Sequence, residues 1–218
     1  MKKRAVLPVL LLFVLIFNSC IGVSMDIQMK RDGSGRINME YHISNTAESI
    51  GRLDGNENWP IIPSGREDLE RSVARIEGME IVSFSVRTRG QDTIITTALE
   101  YENPQALLKF LNPAGDSNTS INRTDQSGRM ELILSEPVSQ EINADLMELA
   151  KQVFAGYKFS ISFSAERNST MTLTSLNGEE ITFPPAAQIT ASGRKTEFAI
   201  DMADFFDFKD GLIARFEW

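Results

Sequence analysis

The sequence predicts an α+β fold, mainly an antiparallel sheet of hairpins with two or three helices packed on it. Many short segments alternate apolar and polar residues, which is the period of a half-buried strand. Turn residues rather than helical crossovers join most of these segments, so antiparallel pairing is favoured over a parallel α/β arrangement. Apolar residues at helical spacing mark the segments between the hairpins.

The first half of the chain predicts two hairpins around one helix. The first hairpin turns at Asp32-Gly33-Ser34-Gly35, which is rich in residues that accept a positive φ. A capping box that starts at Ser64 begins the helix, and Gly78 ends it. After the second hairpin, Asn103-Pro104 caps a short helix over 105–111. The strands are expected at residues 25–30, 37–43, 81–88 and 93–100.

The second half begins with a polar stretch, 112–127, which is the expected loop and internal boundary. A longer helix is predicted over 140–155, with Gly156 as its stop. The order helix, glycine, alternating strand and hairpin occurs in both halves, so two ββαββ-like halves are one reading of the fold. The strands are expected at residues 130–134, 157–163, 171–173, 181–183, 195–202 and 212–218, with the last two paired.

The first twenty residues have the pattern of a secretory signal. Lys2, Lys3 and Arg4 precede an uninterrupted apolar run over 5–17. This run is too short to cross a hydrocarbon core, which takes about 20 residues as a helix. Small polar residues follow, and then Cys20, the single cysteine of the chain.

The tetrapeptide Phe17-Asn18-Ser19-Cys20 resembles a bacterial lipobox, in the relaxed form found in spirochaete lipoproteins. Ser19 matches the small residue that precedes the cysteine, and Phe17 stands where leucine is usual. The resemblance implies a signal peptide at 1–19 and a lipidated Cys20 that anchors the protein to a membrane of the bacterial cell envelope. An ordinary secretory signal, or an uncleaved N-terminal anchor, is the alternative.

The mature part also resembles a known family. After a short tether at 20–24, which reaches about 13 Å between the anchor and Met25, residues 25–218 are expected to form one α+β domain. The early strand, the turn at 32–35, the capped helix with its hairpin, and the closing strand that ends at Trp218 resemble the LppM-type envelope lipoprotein domain. This resemblance implies an anchored, non-enzymatic domain.

Composition restricts the function further. The net charge is −8, which argues against nucleic acid, because binding to phosphates needs clustered Lys and Arg. It also argues against electrostatic docking on anionic lipid, so attachment to the membrane depends on the acyl chains. With one cysteine, no intramolecular disulfide can form.

Catalytic and metal-binding motifs are weak. His42 is the only histidine, and the alternation places it on the polar face of a strand with Asn38 and Glu40. The segment 201–210 repeats Asp every three residues, but a calcium-loop spacing is absent and phenylalanines interleave the acids. No enzyme, cofactor or metal site is therefore predicted.

Two segments could form an apolar contact surface. Trp59 and Ile61 lie in the loop before the first helix, and Phe205, Phe206 and Phe208 interleave the late aspartates. Aromatic side chains often anchor interfaces, although both segments could instead pack onto the core, because large aromatics are mostly buried.

The resulting hypothesis is an envelope-anchored lipoprotein whose domain is a non-catalytic binding or assembly module. Its ligand would be a lipid or an envelope protein. One alternative is a cell-wall or glycan hydrolase that uses a carboxylate pair, and the other is a surface-exposed antigen or adhesin.

Overall fold

The computed structural model describes residues 21–44, 65–90, 92–113, 119–124, 127–135, 147–148, 151–152, 154–179, 181 and 187–218. These residues form two β-sheets whose buried faces pack against each other, with two short α-helices and a 3₁₀ helix. The predicted α+β class is confirmed. The strands are β1 (Ile21–Met29), β2 (Gly35–Ser44), β3 (Met79–Arg89), β4 (Asp92–Tyr101), β5 (Ser120–Arg123), β6 (Gly128–Ser135), β7 (Lys158–Ala165), β8 (Thr170–Thr174), β9 (Gln188–Ser192), β10 (Lys195–Asp201) and β11 (Leu212–Glu217).

The large sheet has seven strands in the order β3-β4-β2-β1-β7-β10-β9, and the small sheet has four in the order β5-β6-β11-β8. Neighbouring strands are antiparallel except β1 and β7, which are parallel. A parallel pair needs a long connection between its two strands. The chain between β1 and β7 is such a connection, and it includes the small-sheet strands β5 and β6.

The first hairpin forms as predicted, but its first strand begins earlier. β1 starts at Ile21 rather than at Met25, and Gly22 and Val23 already pair with β2. The expected tether at residues 21–24 is therefore wrong, since these residues belong to the sheet. The turn itself matches: Asp32 accepts a hydrogen bond from the Ser34 amide at 2.9 Å, and Gly33 has φ +90°.

The first helix, α1 (Arg66–Val73), forms within the predicted segment and buries Leu69 and Val73. Its N-cap is Gly65, which makes no side-chain capping bond, and Ser64 of the expected capping box lies outside the described residues. Gly78 has φ +77° and ends the turn that follows the helix.

The second helix, α2 (Pro104–Leu111), has the predicted cap. The Asn103 side-chain oxygen accepts a hydrogen bond from the Ala106 amide at 2.9 Å, and Pro104 occupies the first turn. The helix predicted over 140–155 lies mostly outside the described residues, but the backbone is helical at Met147, Glu148, Lys151, Gln152 and Phe154.

The second half differs from its prediction at four places. Part of the polar stretch 112–127 forms β5, and the exposed strand β9 was not predicted. Ile181 is not in a strand, and residues 182 and 183 lie outside the described residues. The expected final pair is wrong, because β10 lies between β7 and β9 whereas β11 lies between β6 and β8. Two equivalent ββαββ halves are therefore not formed, since β6 and β7 belong to different sheets.

One hydrophobic core joins the two sheets. Phe163 on β7 and Phe216 on β11 are both fully buried, and their ring centroids lie 5.3 Å apart. The buried residues on both sides of the polar stretch 112–127 belong to the same cluster. The sheets therefore fold as one unit within the described part of the chain.

Candidate functional site

A cleft opens beside Trp218, the residue that follows β11 of the small sheet. Two adjoining hollows of about 240 and 680 Å³ form this cleft. They share the lining residues Arg123, Thr124, Ser127 and Trp218. The first hollow is also lined by Met29, Lys30, Arg31, Ala165, Glu166 and Arg167, and the second by Asn122, Gly128, Arg129, Asn168, Thr170 and Glu217. Turns from both sheets therefore supply the walls.

Trp218 is held in place from two sides. Its backbone pairs with Gly128, with N–O distances of 2.9 and 3.1 Å. Its ring lies against Phe163, with centroids 4.7 Å apart. A Cβ at Gly128 would overlap the indole and would stand 2.8 Å from its Nε1 atom. The missing side chain at Gly128 thus makes room for the ring, which is part of the wall of both hollows.

Arg123 ends β5 beside the first hairpin turn. A Cβ built on Gly33 would lie 2.5 Å from Arg123 Nη1 and 3.0 Å from Pro104 Cδ. The guanidinium therefore occupies space that only a glycine leaves free, and it is half-buried there. Glycine also suits the positive φ of this turn residue. The hairpin turn and α2 thus position this cation at the junction of the two hollows.

Positive charge exceeds negative charge among the described lining residues, although the whole chain has a net charge of −8. Five lining residues are cationic and two are acidic. The cations are Lys30, Arg31, Arg123, Arg129 and Arg167, and the acids are Glu166 and Glu217. Asp125 and Gln126, which lie between β5 and β6 in the sequence, are outside the described residues.

The cations differ in how far they are already paired. Arg129 forms an ion pair with Glu131 at 2.7 Å, and Arg215 reaches the same carboxylate at 2.8 Å. Burial acts to raise the pKa of Glu131, but the bonds and charges of these two arginines outweigh it, so the pKa lies below its usual value. Within the described residues, Arg31 and Arg123 form no ion pair, and they are the groups best able to bind an added anion.

A second polar cluster, around Asp26, lies on the open face of the large sheet. The Asp26 carboxylate accepts hydrogen bonds from Ser162 Oγ and, at 2.6 Å, from Gln28 Nε2, and it lies 3.2 Å from Lys195 Nζ. Burial raises the pKa of Asp26, yet these three partners together lower it below its usual value. Asn38 Nδ2, on β2, donates a longer hydrogen bond to the same carboxylate at 3.4 Å. Since its partners come from β1, β2, β7 and β10, the carboxylate ties four strands together and its hydrogen-bonding capacity is largely used.

His42 lies where the alternation placed it, on the polar face of β2. Its Nε2 is 2.8 Å from Glu40 Oε1, and Arg87 reaches the other oxygen of that carboxylate at 3.4 Å. The hydrogen bond from His42 is the main reason that the pKa of Glu40 lies below its usual value. The predicted surface placement of His42 is confirmed. Its nearest partner is Glu40, which also pairs with Arg87.

The aromatic segment predicted as a contact surface is partly buried. Phe208 is buried, and Phe205 stands edge-on to Phe159 with centroids 5.0 Å apart. Phe206 is half-exposed and stacks at a tilt on Phe154, 5.6 Å away. Of these three predicted ligand-binding residues, Phe205 and Phe208 thus pack with the core and Phe206 keeps part of its surface. The other predicted site residues, Cys20, Trp59 and Ile61, lie outside the described residues.

Of the repeated aspartates, Asp201 ends β10, Asp204 and Asp207 lie in the 3₁₀ helix (Met202–Asp207), and Asp210 follows that helix. Burial, together with the charges of Asp201 and Asp207, raises the pKa of Asp204. Lys151 pairs with Asp207. Among the described residues, no group of three or more His, Cys, Asp or Glu is arranged to hold a metal ion. None of the described helices has the length and apolar character needed to cross a membrane.

The cleft was missed by the sequence analysis. Arg123 fell inside a stretch expected to be a loop, and Trp218 was noted only as the end of the closing strand. A signal existed, because Lys30-Arg31 and Arg123 each stand beside a turn. Nothing local, however, indicates that these turns meet.

No protein-family model and no curated protein matches the chain.

Proposed function

We propose that this protein is a lipid-anchored lipoprotein of the bacterial cell envelope, and that its domain is a non-catalytic module that binds an anionic ligand in the Trp218 cleft. The observation that carries the proposal is the excess of cations in the cleft of an acidic chain. Within the described residues, Arg31 and Arg123 form no ion pair, and guanidinium groups bind carboxylate, phosphate or sulfate through two parallel hydrogen bonds.

The position of β1 sets the orientation that the anchored domain would have. Ile21, the residue after Cys20, begins this strand, and Met29 at its other end lines the cleft. Eight residue steps along a strand span about 26 Å. Acyl chains on Cys20 would therefore hold one end of β1 at the membrane, and the cleft would face away from it.

Binding is favoured over hydrolysis by the state of the acidic residues. A glycoside hydrolase needs a general acid that burial keeps protonated near neutral pH. The two carboxylates among the described lining residues, Glu166 and Glu217, are both exposed to solvent. The described lining residues therefore offer no buried carboxylate for that role.

The anchor is tested by intact-mass analysis of the protein isolated from bacterial membranes. We expect a mature chain that starts at Cys20 and carries acyl chains, recovered in the membrane fraction. Cys20→Ser should abolish the added mass and block cleavage, whereas Ser19→Ala, which keeps a small residue before the cysteine, should be processed normally. A wild-type chain with an unmodified Cys20, or one cleaved elsewhere, would contradict the proposal.

A further inference from the structure

The chemistry of the cleft walls identifies the class of anion more closely. Besides its charged residues, the cleft presents side-chain amides from Asn122 and Asn168 and the hydroxyl of Thr170. The hydroxyls of Thr124 and Ser127 also line it, and these two already hydrogen-bond to each other at 3.2 Å. These groups both donate and accept hydrogen bonds, as the hydroxyls of a sugar do. A bare phosphate would leave most of them without a role.

Trp218 adds a large, half-buried aromatic side chain to this polar lining. Its ring borders both hollows and is fixed by Phe163 and by the backbone of Gly128. A fixed aromatic ring binds at a low cost in side-chain entropy. The C–H face of a pyranose ring fits such a surface, and its hydroxyl edge then points at the surrounding amides and hydroxyls.

An acyl chain fits the same walls poorly. Apart from Trp218, the side chains of Met29 and Ala165 are the apolar ones among the described lining residues. Burial of a lipid tail is favourable in proportion to the apolar area that it removes from water, and these walls offer little apolar area.

The larger hollow, of about 680 Å³, falls within the usual range for small-molecule sites.

From these three features we infer that the anionic ligand of the cleft is an acidic oligosaccharide. One sugar ring stacks on Trp218, its carboxylate or sulfate is held by Arg123 between the two hollows, and the neighbouring sugars contact the amides and hydroxyls. This inference rests on the proposed function, because it specifies the ligand of the same site.

The test is isothermal titration of the full-length protein, purified in detergent, with three probes: a heparin-derived tetrasaccharide, neutral chitotetraose and inorganic tripolyphosphate. We expect the acidic tetrasaccharide to bind with a Kd about tenfold or more below that of either other probe, since it alone offers both rings and charge. Arg123→Gln should weaken the binding of the acidic tetrasaccharide by about tenfold or more, and Trp218→Leu should weaken it by a similar factor. The Kd of Trp218→Phe should lie between those of wild type and Trp218→Leu.

The matched control is Arg75→Gln, which removes the same charge from an exposed site that does not line the cleft. It should leave the Kd within about twofold, because one distant exposed charge changes binding little at physiological salt. Equal loss in Arg75→Gln and Arg123→Gln would overturn the inference, as would chitotetraose binding as tightly as the acidic probe. If tripolyphosphate binds through Arg123 as tightly as the tetrasaccharide, the sugar inference falls while the anion-binding proposal stands. If no anion binds, both fall.

Discussion

Replacement of Phe163 by alanine tests whether the two sheets share the core that supports the cleft. The Phe163 side chain has no exposed surface, and its ring lies 5.3 Å from that of Phe216 and 4.7 Å from that of Trp218. Its loss would remove the aromatic contact between the sheets and leave a cavity there. Large-to-small changes of this kind cost about 3–5 kcal/mol. In a chain of this size that corresponds to a fall in Tm of about 6–20 °C.

Chemical denaturation of wild type and Phe163→Ala, followed by circular dichroism, measures this cost. Phe206→Ala is the matched control, because Phe206 is half-exposed and stacks on Phe154. We expect the control to lose about 1 kcal/mol, the typical cost of a point mutation. If Phe163→Ala destabilised the protein no more than Phe206→Ala, the proposed packing of the sheets would be refuted.

Two further predictions concern the Gly128–Trp218 contact and the Asp26 cluster. Gly128→Ala should displace the indole, because its Cβ would overlap the ring, at a cost of about 1–3 kcal/mol. The near-UV circular dichroism of Trp218 should weaken, and an unchanged signal would be evidence against the contact. For Asp26, whose folded-state pKa lies below the ordinary 3.8, ionisation stabilises the fold above that pH, and the gain is lost as the pH falls through the folded-state pKa. The stability advantage of wild type over Asp26→Asn, from denaturation at several pH values, should therefore shrink between about pH 5 and pH 2, whereas a constant advantage would count against this role.

The hairpins could be predicted from the sequence because their signals are local. The buried residues of β2 alternate along the strand, and the turn before it contains a glycine with a positive φ. The cap of α2 was equally readable, since Asn103 and Pro104 act within one helical turn. Such features depend on neighbouring residues alone.

Pairing between distant strands could not be read in the same way. Alternation in β10 and β11 shows that each strand has one buried face, but it does not identify the sheet to which that face belongs. β9 was missed because all five of its residues are exposed, so it carries no apolar pattern. β5 was missed because its short, polar sequence resembles a loop.

The cleft was unpredictable for the same reason. Arg123 and Trp218 are far apart in the sequence, and they meet because β6 pairs both with β5 and with β11. For the predicted aromatic surface, the apolar signal alone did not separate a contact surface from the core. Phe205 and Phe208 carried an apolar signal, but apolar residues usually mark the core, and these two pack with it.

The most direct test of the central claim is to locate the bound ligand by NMR. Backbone amide shifts of the purified protein would be followed during titration with the heparin-derived tetrasaccharide. We predict that the largest changes cluster at the cleft, in residues 122–124, 127–129, 166–170 and 217–218, together with the indole N–H of Trp218. Changes centred on Asp26 and Lys195, or on Phe206, with the cleft unaffected, would contradict the account.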